Sequence, residues 1–227
     1  MSVLATAVPG EALHPRRGAN KWWVGDPTAL PYFDPVRGHP KIVGIRHLFT
    51  AAQCRTMCDA AQRLPTRRDK VDFWDQRVQT LDQIPDEERE VRALMQQARL
   101  QIQLELIGVL RPPHRLFGDT CQLVRWNEGQ GLDPHADNLE PDGTANATPH
   151  RVCSAVVYLN DDYEGGETFF PGLGFRVRPE LGLAIAFGSG AGHIHGVTPI
   201  TRGERYMMAT WFTFDPKMKD PAQYHVY

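Results

Sequence analysis

The tripeptide His135-Ala136-Asp137 places an imidazole and a carboxylate at a spacing that suits metal binding. In extended backbone, residues two apart point to the same side, so both side chains could reach one ion. The pattern alone is weak, because chance gives about one such triplet in a chain with 9 histidines. A solvated turn histidine beside an unrelated aspartate is the alternative interpretation.

Two residues further along the chain favour the metal interpretation. His195 follows a glycine-rich run at 188–192, and Arg205 begins a strongly β-prone segment soon after. Two histidines and one carboxylate form a facial set on Fe(II), which leaves positions open for exchangeable ligands. An arginine on a neighbouring strand can hold a carboxylate through two hydrogen bonds. The alternative for this arginine is a structural ion pair with Glu204 or Glu167.

A series of motifs surrounds these residues and carries a resemblance to a known family. In chain order, the motifs occupy residues 122–126, 129–130, 134–137, 157–160, 165–171, 195 and 197–206. In type and order they resemble the Fe(II)- and 2-oxoglutarate-dependent oxygenases of the prolyl 4-hydroxylase-like branch. A leading strand and helix at 44–64 extend the resemblance to most of the chain beyond residue 40.

The resemblance implies a double-stranded β-helix in which His135, Asp137 and His195 bind iron. It implies that 2-oxoglutarate binds the metal through its 1-carboxylate and 2-keto oxygen, while Arg205 holds its 5-carboxylate. Trp126 stands where many relatives have a tyrosine that contacts 2-oxoglutarate, so we assign it to the same cosubstrate site. With Fe(II), 2-oxoglutarate and O2, and with ascorbate as a stimulant, the expected reaction hydroxylates an aliphatic C–H bond and releases succinate and CO2.

Three positions distinguish branches of the family, and a fourth residue, His193, is an alternative metal ligand. Asp137 disfavours the related halogenases, which need a position without a carboxylate for chloride. The cation is Arg205, where collagen-type enzymes have lysine, and Met207 breaks the Arg-x-Ser pattern of plant-type relatives. His193 lies two residues before His195 and would share its face on extended backbone. The family spacing to the arginine favours His195 and leaves His193 a role beside the ligands or the substrate.

The N-terminal half of the chain predicts two helices. Thr50 and Gln53 fit a capping box that begins the first helix, and Pro65 ends it. A second amphipathic helix is predicted to start near Pro85, with acidic residues at its positive end, and to stop at 111–113.

The C-terminal half is rich in strands. Short β-prone runs bounded by turn residues lie at 121–126, 152–159, 168–170, 175–178, 183–187 and 206–214. Helices first and strands afterwards predict an α+β fold. We expect a double-stranded β-helix (jelly-roll) core with flanking helices from the N-terminal half.

These patterns divide the chain into an arm and one oxygenase domain. The division is an irregular N-terminal arm at 1–40 and a single domain at 41–227, with helical support at 41–115 and the catalytic jelly roll at 116–227. In the arm, the pair Trp22-Trp23 either plugs one end of the core or covers the active-site mouth. The polar segment 138–150 is predicted to be a mobile lid or a disordered loop.

Composition limits the classes of partner. The chain has 227 residues, of which 41% are hydrophobic and 23% charged, with a net charge of -2. That balance argues against a nucleic-acid partner, and the absence of a long apolar run argues against a membrane one. The four cysteines form no Cys-x-x-Cys pair, which favours free thiols and a cytoplasmic location. Composition leaves the oligomeric state open.

The leading hypothesis is therefore a hydroxylase of a small molecule, an amino acid or a prolyl-type peptide. A compact domain without peptide-binding repeats slightly favours a small substrate. The same chemistry can also desaturate or epoxidise a substrate. The competing hypothesis is a non-catalytic β-helix module that binds a metal or ligand, which would not need a cosubstrate arginine.

Overall fold

The structure is a computed structural model that describes residues 23, 25–34, 38–66, 74 and 76–222. The two α-helices are α1 (Ala51–Arg63) and α2 (Arg89–Leu110). The strands are β1 (Ile42–Ile45), β2 (Val78–Thr80), β3 (Phe117–Trp126), β4 (Leu132–His135), β5 (Arg151–Tyr158), β6 (Glu164–Gly165), β7 (Thr168–Phe170), β8 (Phe175–Val177), β9 (Ala184–Gly188), β10 (His195–Val197), β11 (Ile200–Arg202) and β12 (Arg205–Thr213).

Two antiparallel sheets face each other. The larger sheet has six strands in the order β1-β9-β5-β12-β3-β2, and the smaller has four in the order β4-β10-β7-β8. Strands β6 and β11 form a separate two-stranded ribbon. Buried side chains of both sheets meet between them, such as Phe170 with Phe187 and Val197 with Met207. The arrangement confirms the predicted α+β fold with a double-stranded β-helix core.

Strand β12 contributes to two separate cores. It lies between β3 and β5 and pairs with both. Successive side chains of a strand point to opposite faces of the sheet. The residues that pack toward the helices are Tyr206, Met208 and Phe212. The residues that point into the space between the sheets are Arg205, Met207, Ala209 and Trp211.

The two helices cover the outer face of the larger sheet. The predicted capping box begins α1: Thr50 Oγ1 accepts from the Gln53 N–H at 3.3 Å, and Gln53 Oε1 accepts from the Thr50 N–H at 2.9 Å. Met57 of α1 and Met95 of α2 are fully buried against the sheet. Among the described residues, no helix has both the length and the apolar character to cross a membrane.

Helix α2 begins later than the sequence predicts. The prediction places its start near Pro85, whereas the helix begins at Arg89. The Glu88 N–H donates to the Pro85 carbonyl at 3.0 Å in a turn before the helix. The Glu88 carboxylate forms an ion pair with Arg63 at the end of α1. Glu88 therefore links the two helices rather than forming part of the first turn of α2.

The predicted β-prone runs correspond to β3, β5, β7, β8, β9 and β12, and the largest difference is that β3 begins at Phe117. The sequence patterns miss β2, β4, β6, β10 and β11. Each of these has four residues or fewer, which is too short to show a period of two, and unlike the equally short β7 and β8 they contain no phenylalanine. In addition, β4 contains Pro134 and β10 contains Gly196, which are poor strand formers.

The segment 138–150 is a folded loop, which differs from the predicted lid or disordered loop. Leu139 and Ala145 form a β-bridge within it. Asn146 Nδ2 and Thr148 Oγ1 donate to the Asp137 carbonyl at 3.0 and 2.8 Å. The polar residues that made the segment resemble a disordered loop are thus the residues that hydrogen-bond to the backbone beside them.

The described part of the N-terminal arm lies on the smaller sheet. Tyr32 forms a parallel bridge with Arg176 of β8, and the Trp23 ring lies 5.7 Å from the Phe169 ring. Because the residues on either side of Phe169 point inward, its own ring faces outward. Trp23 therefore packs on the outer face of the sheet, and it neither plugs the core nor covers the cavity between the sheets. Trp22 lies outside the described residues.

Candidate active site

Three side chains that can bind a metal meet where β4 ends and β10 begins. His135 is the last residue of β4 and pairs in register with His195, the first residue of β10. Asp137 follows two residues after β4. One donor atom of each residue lies within 4.8 Å of the others, and the two imidazole centroids are 4.4 Å apart. The structure thus brings together the residues that the sequence predicted as ligands.

Backbone carbonyls orient both imidazoles. His135 Nδ1 lies 2.9 Å from the Asp133 carbonyl, and His195 Nδ1 lies 3.0 Å from the His193 carbonyl. A carbonyl can only accept, so each Nδ1 carries the proton and donates it. In the uncharged ring each Nε2 then keeps its lone pair, which is the arrangement seen in metal-binding histidines.

The ionisation states at this site favour a cation. Burial alone raises the pKa of Asp137, but the two histidines and the Ser154 hydroxyl hold that pKa well below its usual range. Burial, together with nearby His135, lowers the pKa of His195 to about 4. At neutral pH the carboxyl is therefore ionised and His195 is uncharged. These are the protonation states in which both residues bind metals.

The imidazole of His193 lies outside this group. Its Nε2 lies 3.1 Å from the Lys41 carbonyl, and its ring stacks on Phe187. Only the backbone carbonyl of His193 contacts a site residue, because it accepts from His195 Nδ1. Of the two close histidines, only His195 has its ring beside Asp137.

Arg205 is a fully buried cation at the start of β12. Its Nη1 contacts Met207 Sδ at 2.9 Å, and its Nη2 lies 3.5 Å from Thr168 Oγ1. Its Nε has no acceptor among the described residues. Both contacts are with uncharged groups, so no neighbouring charge in the described part of the chain offsets that of Arg205.

The ion pairs considered for Arg205 do not form. Glu204 pairs with Arg125, and Glu167 pairs with Arg176. A buried charge without a partner is costly in free energy. Such an arginine suits an incoming anion, and a carboxylate matches its two-pronged geometry.

Aromatic rings and a close backbone segment surround the Arg205 side chain. The rings of Trp126 and Tyr158 each have their centroid 5.4 Å from the guanidinium carbon. Tyr158 also donates to Thr168 Oγ1 at 2.8 Å. Gly166 has a φ of +65°, and a Cβ there would lie 3.1 Å from Arg205 Cδ. Glycine at this position lets the chain pass close to the arginine.

One cavity connects the three metal donors with Arg205. It encloses about 510 Å³, its open mouth included. The rest of its wall is largely aromatic and apolar and includes Trp74, Trp126, Val156, Met207 and Trp211. The cation and the metal donors are therefore exposed to the same cavity.

The residues present fit a ferrous ion and an acidic chelating ligand. Two neutral imidazoles and one carboxylate are a donor set that binds Fe(II) and leaves positions open. The unpaired guanidinium of Arg205 can receive a carboxylate from a ligand that also reaches the donors.

Comparison with known proteins agrees with this site. The sequence model described as the 2OG-Fe(II) oxygenase superfamily matches residues 121–213. Prolyl 3-hydroxylase 2 of Rattus norvegicus is 40% identical over 98 residues, which cover 38% of this chain and 14% of that protein. This chain thus corresponds to a small part of the length of such curated relatives.

Two solved structures share the fold. The viral collagen prolyl hydroxylase of Paramecium Bursaria Chlorella virus-1, solved with 2OG, has a TM-score of 0.61 at 19% identity, covering 79% of this chain and 98% of its own. A prolyl hydroxylase from Trichoplax adhaerens, in complex with a hypoxia inducible factor peptide fragment, has a TM-score of 0.61 at 15% identity, covering 77% and 84%.

The matched segment and the fold point to one class. Residues 121–213 match the 2OG-Fe(II) oxygenase superfamily, and the curated proteins similar to this chain include prolyl hydroxylases. The cofactor of this superfamily is Fe(II), and its cosubstrates are 2-oxoglutarate and O2.

The sequence did not indicate several residues of the site. Ser154 and Trp211 both contact Asp137. Their positions on the inward faces of β5 and β12 could indicate this contact only if the strand register were known. The sequence also did not indicate the contacts of Arg151. Arg151 begins β5, donates from Nε to Asp119 at 3.0 Å, and lies 4.0 Å above the Trp211 ring.

Proposed function

We propose that this chain is an Fe(II)- and 2-oxoglutarate-dependent dioxygenase that hydroxylates an aliphatic C–H bond and releases succinate and CO2. The observation that carries the proposal is the single cavity that joins the His135, Asp137 and His195 donors to the unpaired cation of Arg205. A metal site alone would serve many functions. A metal site with a buried carboxylate receptor suits a chelating keto acid.

Each site residue has a role in this proposal. His135, Asp137 and His195 would hold Fe(II) through the two Nε2 atoms and the carboxylate. Arg205 would bind the 5-carboxylate of 2-oxoglutarate, and Trp126 would pack beside that carboxylate because it flanks the guanidinium. When bound, the iron and 2-oxoglutarate supply the oxidising chemistry. The apolar wall would exclude water and hold the substrate carbon near the metal donors.

The substrate class we propose is a prolyl residue in a peptide. The support is the similarity to proteins named prolyl 3-hydroxylase and the peptide in the complex of the Trichoplax adhaerens protein. The wall of the cavity adds a physical argument, because Trp74 and Trp211 line it with aromatic side chains against which a pyrrolidine ring can pack. The sequence-based preference for a small free metabolite is the alternative, with desaturation and epoxidation as alternative outcomes.

A product assay tests the reaction and the substrate together. The full chain is incubated with Fe(II), 2-oxoglutarate and O2, with ascorbate present or omitted, and with free proline or proline-rich peptides. We expect succinate in equal amount to a product whose mass is increased by one oxygen atom, formed from the peptides. D137A is the matched control and should give neither. Absence of succinate under every condition would contradict the proposal, whereas oxidation of free proline alone would correct the substrate class.

The non-catalytic β-helix module is the second candidate function. It predicts metal binding without any requirement for 2-oxoglutarate. The buried Arg205 disfavours it, because a structural metal site gains nothing from an unpaired cation in the same cavity. Binding of 2-oxoglutarate to the metal-loaded protein distinguishes the two candidates even before a substrate is known.

The proposal also includes a location and a domain division. The free state of all four cysteines, Cys54, Cys58, Cys121 and Cys153, supports a reducing compartment such as the cytoplasm. We propose that 41–227 act as one unit, in which 41–115 support the catalytic β-helix of 116–227, and that 1–40 are an arm. Limited proteolysis should remove part of the arm first, without loss of 2-oxoglutarate binding.

A further inference from the structure

The two oxygens of the Asp137 carboxylate have different surroundings. Ser154 Oγ and Trp211 Nε1 both donate to Oδ2, the latter at 3.2 Å. Oδ1 lies 3.4 Å from His135 Nε2, and no described side chain donates a hydrogen bond to it. One oxygen is thus occupied by two protein donors, while the other lies beside the metal-binding nitrogen of His135.

Both donors are themselves fixed by further contacts. Ser154 is buried on β5 and hydrogen-bonds to the Ser189 hydroxyl at 2.8 Å. The Trp211 ring lies under the Arg151 guanidinium at 4.0 Å, and Arg151 is anchored to Asp119 at 3.0 Å. The donors therefore cannot turn away from Oδ2 without breaking contacts of their own.

From this arrangement we infer that Ser154 and Trp211 are positioning residues that restrict Asp137 to binding the metal through Oδ1 alone. The inference rests on the proposed iron site. Every carboxylate oxygen that binds the ion occupies one coordination position. An Asp137 that used both oxygens would remove a position that 2-oxoglutarate or O2 requires. Holding Oδ2 with two donors keeps that position available.

The test uses Co(II), which binds in place of Fe(II) and does not consume 2-oxoglutarate. Co(II) is titrated into the full-length apoprotein of the wild type, S154A and W211F, and 2-oxoglutarate is then titrated into each protein saturated with Co(II). We expect Co(II) binding to weaken about 10- to 100-fold in each variant, as is usual when a contact to a metal ligand is lost. We also expect weaker 2-oxoglutarate binding and a changed Co(II) absorption spectrum, which a purely structural role would not produce.

Two further variants make the result specific. S154T keeps the hydroxyl and should restore both affinities. T210V removes a buried hydroxyl on the opposite face of β12, where Thr210 Oγ1 donates to the Thr120 carbonyl at 3.2 Å, and should leave both affinities unchanged. If S154A does not fold, W211F decides the question alone.

The possible negative results have different consequences for the inference and for the proposed function. Wild-type affinities for Co(II) and 2-oxoglutarate in both S154A and W211F would overturn the inference and leave the proposed function intact. If the wild type itself bound no Co(II), the proposed function and this inference would both be wrong.

Discussion

At the scale of single residues, the unusual feature is the burial of a cation without a charged partner. Arg205 is fully buried, and its nearest contacts are a sulfur, a hydroxyl and two aromatic rings. Cation–π contacts recover about 2 kcal/mol each when desolvated. The arginine is therefore better explained by what it binds than by what it contributes to the fold.

Replacing Arg205 by methionine should greatly weaken 2-oxoglutarate binding. Removing one partner of a buried charge pair costs about 3–5 kcal/mol, which is about 150- to 5,000-fold in affinity. Calorimetric titration of 2-oxoglutarate into metal-loaded R205M checks this. Metal affinity should stay near the wild-type value, because Arg205 is not among the three donors. An unchanged 2-oxoglutarate affinity would mean that another residue holds the 5-carboxylate.

The same substitution should stabilise the apoprotein. Methionine fills a similar volume and removes an unpaired charge, and replacing buried charges by apolar groups is often stabilising. A gain of about 1 kcal/mol would raise Tm by about 2–4 °C in a chain of this size. A thermal melt without ligands measures it. A lower Tm for R205M would show that the aromatic rings around the guanidinium stabilise it more than burial costs.

The two close histidines should behave differently on substitution. H195A removes an imidazole beside Asp137, so stoichiometric iron and succinate release should both be lost. H193A is the matched control and should keep both, because its ring hydrogen-bonds to the Lys41 carbonyl outside the cavity. Iron content and succinate are measured on both proteins. Iron lost from H193A but kept by H195A would reverse the assignment.

The sequence could predict the donors but not what holds them. His135, Asp137 and His195 are readable because their types and spacing carry the chemistry. Ser154 and Trp211 are ordinary strand residues by type, and they meet Asp137 only because β5 and β12 pair in one register. Strand register depends on long-range packing, and local sequence does not contain it. The ligand roles themselves stay predictions.

At the scale of elements, the sequence predicts the start of a helix reliably where the interactions that form it are between residues close in the chain. The Thr50 and Gln53 capping box predicts the start of α1, because both partners lie within one turn. The start of α2 is wrong by several residues because Glu88 pairs with Arg63, which is distant in the chain. The short strands β4 and β10, which carry the two histidines, are formed by pairing with strands distant in the chain and not by their own propensity.

Removing the cap of α1 should lower stability without changing the site. Replacing an N-cap threonine by alanine costs about 1 kcal/mol, so T50A should lower Tm by about 2–4 °C. Affinities for metal and 2-oxoglutarate should not change, since α1 lies on the face of the sheet away from the cavity. T201A, at an exposed threonine, is the control and should stay within about 0.5 kcal/mol of the wild type. Loss of 2-oxoglutarate binding in T50A would contradict the separation of the two faces.

At the scale of the whole molecule, ligands that join elements from both sheets should stabilise the fold. The donors lie on or just after strands of the smaller sheet, and Arg205 lies on the larger one. A metal ion together with 2-oxoglutarate would therefore link the two sheets across the cavity. Unfolding must release both ligands, and this couples binding to stability.

Thermal melts should show this coupling. At about 100 times the dissociation constant, a ligand adds about 2.7 kcal/mol, which is about 5–10 °C in Tm. We expect Mn(II) to raise Tm, 2-oxoglutarate to raise it further, and a chelator to reverse both shifts. R205M should respond to Mn(II) alone. A 2-oxoglutarate shift of equal size in R205M would argue against a link through this arginine.

Side chains along β12 alternate between the cavity and the helices, and this affects how the protein can evolve. Ala209 faces the cavity, while its neighbours Met208 and Thr210 face the helices. Mutations at the cavity-facing positions can therefore alter substrate preference while the helix-facing core keeps its packing, because effects at sites without shared contacts add nearly independently. A mutant library restricted to Ala209 and Val156 would sample new substrate specificities in proteins that still fold.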